Sequence, residues 1–144
     1  MNEYRIADVF IGLEENFQVM VTEEMLATFA KLTGDYNPLH QEKEFAKKCG
    51  YADRVVYGML TGSFLSTLAG MYLPGKYSLI QGVEMKFKKT VFPGDILTVA
   101  GCVDEIHENL QMMKIKIHIQ NKKGEDVLKG KMQIGWLKES DTER

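Results

Sequence analysis

The sequence predicts an α+β fold in which an antiparallel sheet of about five strands wraps around one long central helix. Residues 55–75 carry no Asp, Glu, Lys or Arg, and a helix that is apolar on nearly every face is buried in a protein core. After Gly75 the apolar residues change from helical spacing to alternation, which is typical of half-buried strands. Packing the apolar face of the sheet against the apolar helix removes both surfaces from water.

The composition indicates an ordinary globular chain of 144 residues, with 44% hydrophobic and 26% charged residues. A net charge of −2 gives no electrostatic footprint for nucleic acid or for an anionic membrane. Cys49 and Cys102 lack metal-ligand spacing and are too few for a disulfide framework. We therefore expect a reduced, cytoplasmic protein without a signal peptide, metal or other cofactor, and a single domain over residues 1–144.

The first strand and the first helix are predicted from alternation and from capping residues. Residues 16–21 alternate polar and apolar side chains, as a strand with one buried face does. Thr22 is an N-cap candidate followed by two glutamates, which suit the start of a helix. Apolar residues then recur at helical spacing until Gly34, which offers the left-handed conformation that ends a helix.

A loop over residues 35–39 leads to a second, shorter helix, predicted over residues 42–48. Phe45 and Ala46 are expected to be its buried residues. Two lysines, a cysteine and a glycine then follow in sequence, which is a conventional helix stop.

The central helix is predicted over residues 57–73 and ends at the Leu-Pro-Gly sequence of residues 73–75. The uncharged stretch around it approaches the length of a membrane span. However, its Gly, Ser and Thr residues make it only moderately apolar, and no cationic cluster or aromatic belt flanks it. We therefore expect a helix that is buried in protein rather than in lipid.

Alternation continues through the second half of the chain. Val83, Met85 and Phe87 alternate with charged residues, which predicts a strand with one dry face. Turn residues at 92–95 and 121–124 join alternating segments, as in an antiparallel meander. The open edges of such a sheet favour pairing with a second copy of the chain. The four strands predicted here cover residues 77–91, 96–103, 113–119 and 127–137.

An acid and an imidazole lie five residues apart in the loop before the second helix. Pro38 stiffens the backbone between Asp35 and His40. A carboxylate and an imidazole held together can grip one water molecule and move its protons at neutral pH. The alternative is that Asp35 and Asn37 only bond local backbone amides in a turn.

Gly58 lies near the first turn of the central helix, where backbone N–H groups lack helical partners and the dipole is positive. Without a side chain at this position, a ligand oxygen can reach the amide, as in an oxyanion hole. The alternative is close helix packing through the pair Gly58 and Gly62.

Residues 29–40 read Phe-Ala-Lys-Leu-Thr-Gly-Asp-Tyr-Asn-Pro-Leu-His, which resembles the hydratase 2 motif of MaoC-like proteins. Phe45-Ala46, the Gly-Met-Leu sequence of residues 58–60 and the turn at 92–95 also fall where that family has them. The resemblance covers about residues 19–103. It implies a hot-dog fold, usually dimeric, and reversible hydration of trans-2-enoyl thioesters to (3R)-3-hydroxyacyl thioesters. The substrate would be an acyl-CoA or acyl carrier protein thioester held at the interface of a homodimer or higher homo-oligomer.

The resemblance also implies roles for individual residues. Asp35 and His40 would bind and activate the water, and which of them acts as base stays open. The Gly58 amide would hydrogen-bond the thioester carbonyl. Further residues are expected to bind the substrate: Asn37, Tyr57, Met59, Leu60 and Ser63.

Tyr57 departs from the family pattern, which often has His before Gly-Met-Leu. A phenol donates a hydrogen bond but does not share the titration of imidazole. Tyr57 could shape the pocket, bond the thioester or pack in the core.

Two other functions are compatible with the same fold. A hot-dog thioesterase would attack the thioester carbonyl with water, whereas the Asp35 and His40 spacing favours hydration at two carbon atoms. A non-catalytic acyl-CoA-binding module would have no use for a water-activating pair.

Overall fold

Residues 1–139 are described in the computed structural model, and their centre is an antiparallel sheet of five strands. The strands are Glu14–Met20 (β1), Ser78–Phe87 (β2), Ile96–His107 (β3), Met112–Gln120 (β4) and Asp126–Trp136 (β5). They lie side by side in the order β1-β3-β4-β5-β2. Buried residues alternate along much of β3 and β4, so the predicted two-residue period is confirmed there.

The order of the strands corrects the predicted meander. β3, β4 and β5 are consecutive neighbours, but β2 pairs with β5 and not with β3. The connection over residues 88–95 therefore passes the positions of two other strands, a span of roughly 14 Å at ordinary strand spacing. Turn residues indicate where a strand ends, but they carry no information about which strand becomes its neighbour.

The first long helix, α1 (Glu23–Thr33), begins and ends where the sequence predicts. Thr22 Oγ1 accepts a hydrogen bond from the Met25 N–H at 3.1 Å. Gly34 adopts a left-handed φ of 78° and donates its N–H to the Ala30 carbonyl. Local residue chemistry therefore determines both ends of α1.

Two short helices follow, α2 (Pro38–Gln41) and α3 (Lys43–Lys48). α2 occupies part of the predicted loop, because the Asn37 side chain caps it and proline suits its first position. α3 agrees with the prediction to within one residue. Ala46 is buried, but Phe45 is 39% exposed, so the prediction that both are buried is wrong for Phe45. Successive helical positions point in different directions, and a short helix buries only one narrow face.

The central helix is α4 (Gly58–Thr67), which continues as a π-helical segment, Leu68–Tyr72. Leu65 and Leu68 are buried in the same apolar cluster as the inner side chains of the sheet. The prediction of a helix buried on nearly every face is only partly correct, because one flank of α4 is exposed. The exposed residues of that flank are Met59, Ser63 and Ser66.

Strand β2 differs most from its prediction. It ends at Phe87 instead of continuing to residue 91. On the face predicted to be dry, Met85 is half-buried, whereas Val83 is exposed and Phe87 is 52% exposed. β2 is an edge strand of the sheet, and its neighbour is β5. The prediction that this face of β2 is buried is therefore wrong for a single chain. Alternation shows that a face is apolar, but it does not show what covers that face.

Within residues 1–139, no helix combines the length and the apolar character that a membrane span requires. The predicted polar tail begins at Glu139, and residues 140–144 of that tail lie outside the described part of the chain.

Candidate active site

The loop between α1 and α2 is held by side chains that bond its own backbone. Asp35 Oδ1 accepts from the Asn37 N–H at 3.1 Å, and Asn37 Oδ1 accepts from the Leu39 N–H at 3.0 Å. Thr33 Oγ1 accepts from the Asp35 N–H at 3.2 Å. These are the local turn bonds anticipated for Asp35 and Asn37. They engage one oxygen of the Asp35 carboxylate, and the side chains of both residues stay exposed.

Tyr57 anchors this loop from behind. Its hydroxyl donates to the Asp35 carbonyl oxygen at 2.6 Å and accepts from Gln41 Nε2 at 2.7 Å. The Tyr57 ring is only 2% exposed and stacks on the His40 ring, with 4.1 Å between centroids. Burial raises the pKa of the Tyr57 phenol, so it remains a donor at neutral pH. Of the three roles left open for Tyr57, the burial of its ring corresponds to core packing, and its hydroxyl bonds add a contact with the loop that was not predicted.

His40 is oriented by a backbone carbonyl. Its Nδ1 lies 2.6 Å from the Val55 oxygen. Since a carbonyl oxygen only accepts, Nδ1 must carry the hydrogen of that bond. In a neutral ring the lone pair then belongs to Nε2. The geometry therefore makes Nε2 the atom of His40 that can take a proton.

Gly58 is the first residue of α4, and Tyr57 before it provides no side-chain cap. Within residues 1–139, neither backbone nor side chain accepts a hydrogen bond from the Gly58 N–H. A Cβ added at this position would lie 3.1 Å from Cε1 of the Phe87 ring. Both predicted features of Gly58, a free amide at a helix start and a close approach, are therefore present in the structure.

A cavity of about 280 Å³ brings His40 and Gly58 together. They come from α2 and α4, and the opposite wall comes from the end of β2, the loop after it and the start of β5. Asp35 is outside this lining, on the loop whose backbone Tyr57 holds. The lining residues are His40, Val55, Val56, Gly58, Thr61, Phe87, Lys88, Lys89, Thr90, Val91 and Val127.

Among the described residues that line this cavity, none is one of those expected to bind substrate. Asn37 caps α2, Tyr57 is buried behind His40, and Leu60 is buried on α4. Met59 is exposed, and Ser63 donates its hydroxyl to the Leu60 carbonyl at 2.6 Å. Their contact with a substrate stays a prediction.

Sequence reasoning missed several cavity residues, including Thr61, Lys88 and Lys89. The signal for Thr61 was its position three residues after Gly58, which places both on one helix face. The signal for the lysines was a basic run directly after an edge strand. Neither signal was specific, because the cavity joins segments that are distant in sequence.

The chain matches the sequence model of the MaoC like domain over residues 12–125. It is 40% identical to an (R)-specific enoyl-CoA hydratase of Aeromonas caviae over 84 residues, which are 58% of this chain and 63% of that protein. It is 30% identical to a 3-hydroxybutyryl-CoA dehydratase of Methylorubrum extorquens over 99 residues, which are 69% of this chain and 63% of that protein. In both comparisons the match spans somewhat less than two thirds of the relative.

Solved structures agree with these matches. The (R)-hydratase from Aeromonas caviae involved in PHA biosynthesis superimposes with a TM-score of 0.85 at 30% identity, over 89% of this chain and 97% of that one. An unliganded R-hydratase from Pseudomonas aeruginosa gives a TM-score of 0.88 at 27% identity, over 94% and 86% of the two chains. The expected hot-dog architecture is therefore confirmed. Together, the domain match and these relatives show that the chain belongs to the MaoC-like domain family.

Proposed function

We propose that this protein adds water reversibly to trans-2-enoyl thioesters and forms (3R)-3-hydroxyacyl thioesters. The observation that carries the proposal is the shared cavity of His40 and the Gly58 amide. One offers a proton-accepting nitrogen, and the other offers an unpaired donor at a helix start. Hydration of a conjugated thioester requires both groups. A base must take a proton from the water that attacks C3, and a donor must stabilise the negative charge that develops on the thioester oxygen.

We assign the base to His40. Its Nε2 takes a proton from the water while the water oxygen bonds to C3. The electron pair of the double bond moves toward the thioester carbonyl, whose oxygen accepts from the Gly58 N–H. C2 then receives a proton from the pair formed by His40 and Asp35. The net reaction consumes one water and leaves both residues unchanged. General acid–base help of this kind contributes about 10²–10⁴-fold.

Tyr57 couples the two members of this pair. It touches the His40 ring and bonds the Asp35 backbone at once. In this proposal its role is to fix the distance between imidazole and carboxylate, which preorganises the site before substrate enters. Asn37 contributes by capping α2, the helix that carries His40.

The substrate carrier is proposed to be coenzyme A or acyl carrier protein. Both present a thioester at the end of a phosphate-bearing arm. Lys88 and Lys89 lie in the cavity lining on the loop after β2, and Lys89 also pairs with Glu125. Lysine is a common point-charge partner of phosphate, so this wall suits the anionic arm while the acyl chain takes the apolar part.

We further propose a homodimer formed through the β2 edge. An unpaired edge strand is a template for another strand. The apolar side chains exposed along β2 also form a patch of the kind that marks an interaction surface. A two-fold axis at this edge would join the two sheets through the same patch on both chains. The exposed apolar residues are Leu79, Ile80, Val83 and Phe87 on β2, with Met59 on α4.

We propose that residues 1–144 act as one domain in the cytoplasm. The buried apolar side chains from α1, α4, β3, β4 and β5 form one cluster, against which partly buried side chains of β1 and β2 pack, as in a domain with a single core. Both cysteines are free thiols, which is compatible with a reducing compartment.

Purified protein with crotonyl-CoA tests the proposal. Loss of the conjugated enoyl absorbance without release of free thiol supports hydration. Release of a thiol would identify a thioesterase and contradict the proposed reaction. Binding without either change would identify a non-catalytic acyl-CoA-binding module.

A further inference from the structure

Thr61 lies on the face of α4 that borders the cavity. Gly58, Thr61 and Gly62 are spaced as neighbours on one side of a helix. At Gly62 the helix approaches Met85 of β2 so closely that an added Cβ would lie 2.6 Å from the Met85 Sδ. At Gly58 and Thr61 the space between helix and sheet opens into the cavity that also contains His40.

The Thr61 hydroxyl is buried without a partner. Thr61 is 2% exposed, and its Oγ1 has no hydrogen bond to any atom of residues 1–139. Two other helical hydroxyls of this chain donate to a carbonyl of the preceding turn. Thr33 donates to the Phe29 oxygen at 2.8 Å, and Ser63 donates to the Leu60 oxygen at 2.6 Å. Thr61 departs from this behaviour.

A buried hydroxyl without a partner destabilises the folded state, and such groups in native proteins require an explanation. Packing does not supply one here, because valine has the same shape and no polar atom. A ligand does supply one, since the cavity wall around Thr61 also holds the proton-accepting imidazole and the unpaired Gly58 amide. The hydroxyl is then satisfied only when the cavity is occupied.

We infer that the Thr61 hydroxyl binds the oxygen atom at C3 of the substrate, which is the reacting water in one direction and the 3-hydroxyl group in the other. This inference rests on the proposed function. Thr61 lies about 4.5 Å further along the helix axis than Gly58, given the rise of three residues. In this inference the thioester oxygen lies on the Gly58 amide and the acyl chain runs along α4, so that C3 lies toward Thr61.

The test compares two ligands that differ only at C3. Butyryl-CoA lacks the oxygen, and (R)-3-hydroxybutyryl-CoA carries it. Their dissociation constants are measured by calorimetry in an Asp35→Asn background, which is expected to slow turnover at least about 100-fold during titration. Thr61→Val removes the hydroxyl at constant shape, and Thr61→Ser retains it.

Thr61→Val should weaken the hydroxyacyl ligand about tenfold, equivalent to about 1.4 kcal/mol, and change butyryl-CoA by less than about twofold. Thr61→Ser should restore most of the affinity for the hydroxyacyl ligand. In the otherwise native chain, Thr61→Val should lower kcat for crotonyl-CoA about tenfold with little change in KM. Thr67→Val, on the same helix but outside the cavity lining, should change none of these values.

Equal weakening of both ligands would mean that Thr61 only shapes the cavity, and unchanged affinity for both would mean that its hydroxyl is not used. Either result overturns the inference. Thermal stability gives a second readout, because Thr61→Val should leave the melting temperature unchanged or raise it. A lower melting temperature or a loss of dimer would mean that the hydroxyl serves protein structure. If the native chain neither hydrates crotonyl-CoA nor binds butyryl-CoA, the proposed function itself fails.

Discussion

Substitution of Gly58 by alanine separates a catalytic amide from a packing contact. The added Cβ would lie 3.1 Å from Cε1 and 3.3 Å from Cζ of the Phe87 ring. The contact falls on the edge of a ring that is 52% exposed in one chain, and a shift of a few tenths of an ångström relieves it. Alanine also loses less backbone entropy on folding than glycine, a gain of roughly 0.5–1 kcal/mol in a helix. The free energy of unfolding should therefore change by less than about 1 kcal/mol.

The rate should respond more strongly than the stability. Loss of one oxyanion donor costs about 10²–10³ in kcat in enzymes where it has been removed. Gly58→Ala keeps the N–H, but its methyl group occupies the approach to that donor and presses on the cavity wall. We expect kcat/KM for crotonyl-CoA to fall about 10–100-fold. The assay is initial-rate loss of enoyl absorbance, with urea unfolding of the same preparation.

Gly62→Ala is the matched control on the same helix face. Its Cβ would meet the Met85 Sδ at 2.6 Å, but this atom is near the far end of a flexible side chain, so it can shift at a cost that the gain in helix propensity largely offsets. Gly62 is outside the cavity lining, so stability should change by less than about 1 kcal/mol and the rate should stay within about threefold. The reasoning is refuted if Gly58→Ala retains the native rate, or if Gly62→Ala loses as much of the rate as Gly58→Ala does.

Asp35→Asn and His40→Ala should each lower kcat at least about 100-fold while circular dichroism and melting temperature stay close to native; a near-native rate in either variant would place water activation elsewhere. Tyr57→Phe removes the hydroxyl that bonds the Asp35 backbone, so unfolding measurements should show a loss of about 1–3 kcal/mol and kcat should fall about tenfold. Retention of both values would mean that the loop does not need this anchor. Val83→Lys should convert the proposed dimer to a folded monomer, measured by light scattering, because Val83 is already exposed in one chain. A persistent dimer would place the interface elsewhere.

The elements that the sequence predicted well are those with local causes. Thr22 and Gly34 determine both ends of α1 through bonds within a few residues of the chain. The turn before β3 forms as expected, with the Asp95 N–H bonded to the Phe92 carbonyl at 3.0 Å. The extent of the central helix also followed from local features, since the uncharged segment favours a buried helix and the Leu-Pro-Gly sequence of residues 73–75 ends it.

For the functional site too, the sequence predicted local features but not contacts between distant segments. Asp35, His40 and Gly58 could be proposed from the sequence because a stiff loop and a helix start are local features. The contacts that relate them were not predicted, because they join distant segments. Tyr57 bonds the Asp35 backbone across 22 positions, and His40 bonds Val55 across 15.

Sequence alone thus determined most of the helices, strands and turns, apart from α2 and the end of β2, and which family motif they carry. Only the tertiary structure decided that β2 lies beside β5, that its apolar face is uncovered in one chain, and that Thr61 and Lys88 share a cavity with His40. The reason is physical. Capping and periodicity act over a few residues, whereas strand order and cavity shape are set by which distant apolar surfaces pack together, and many sequences with the same local pattern allow more than one arrangement.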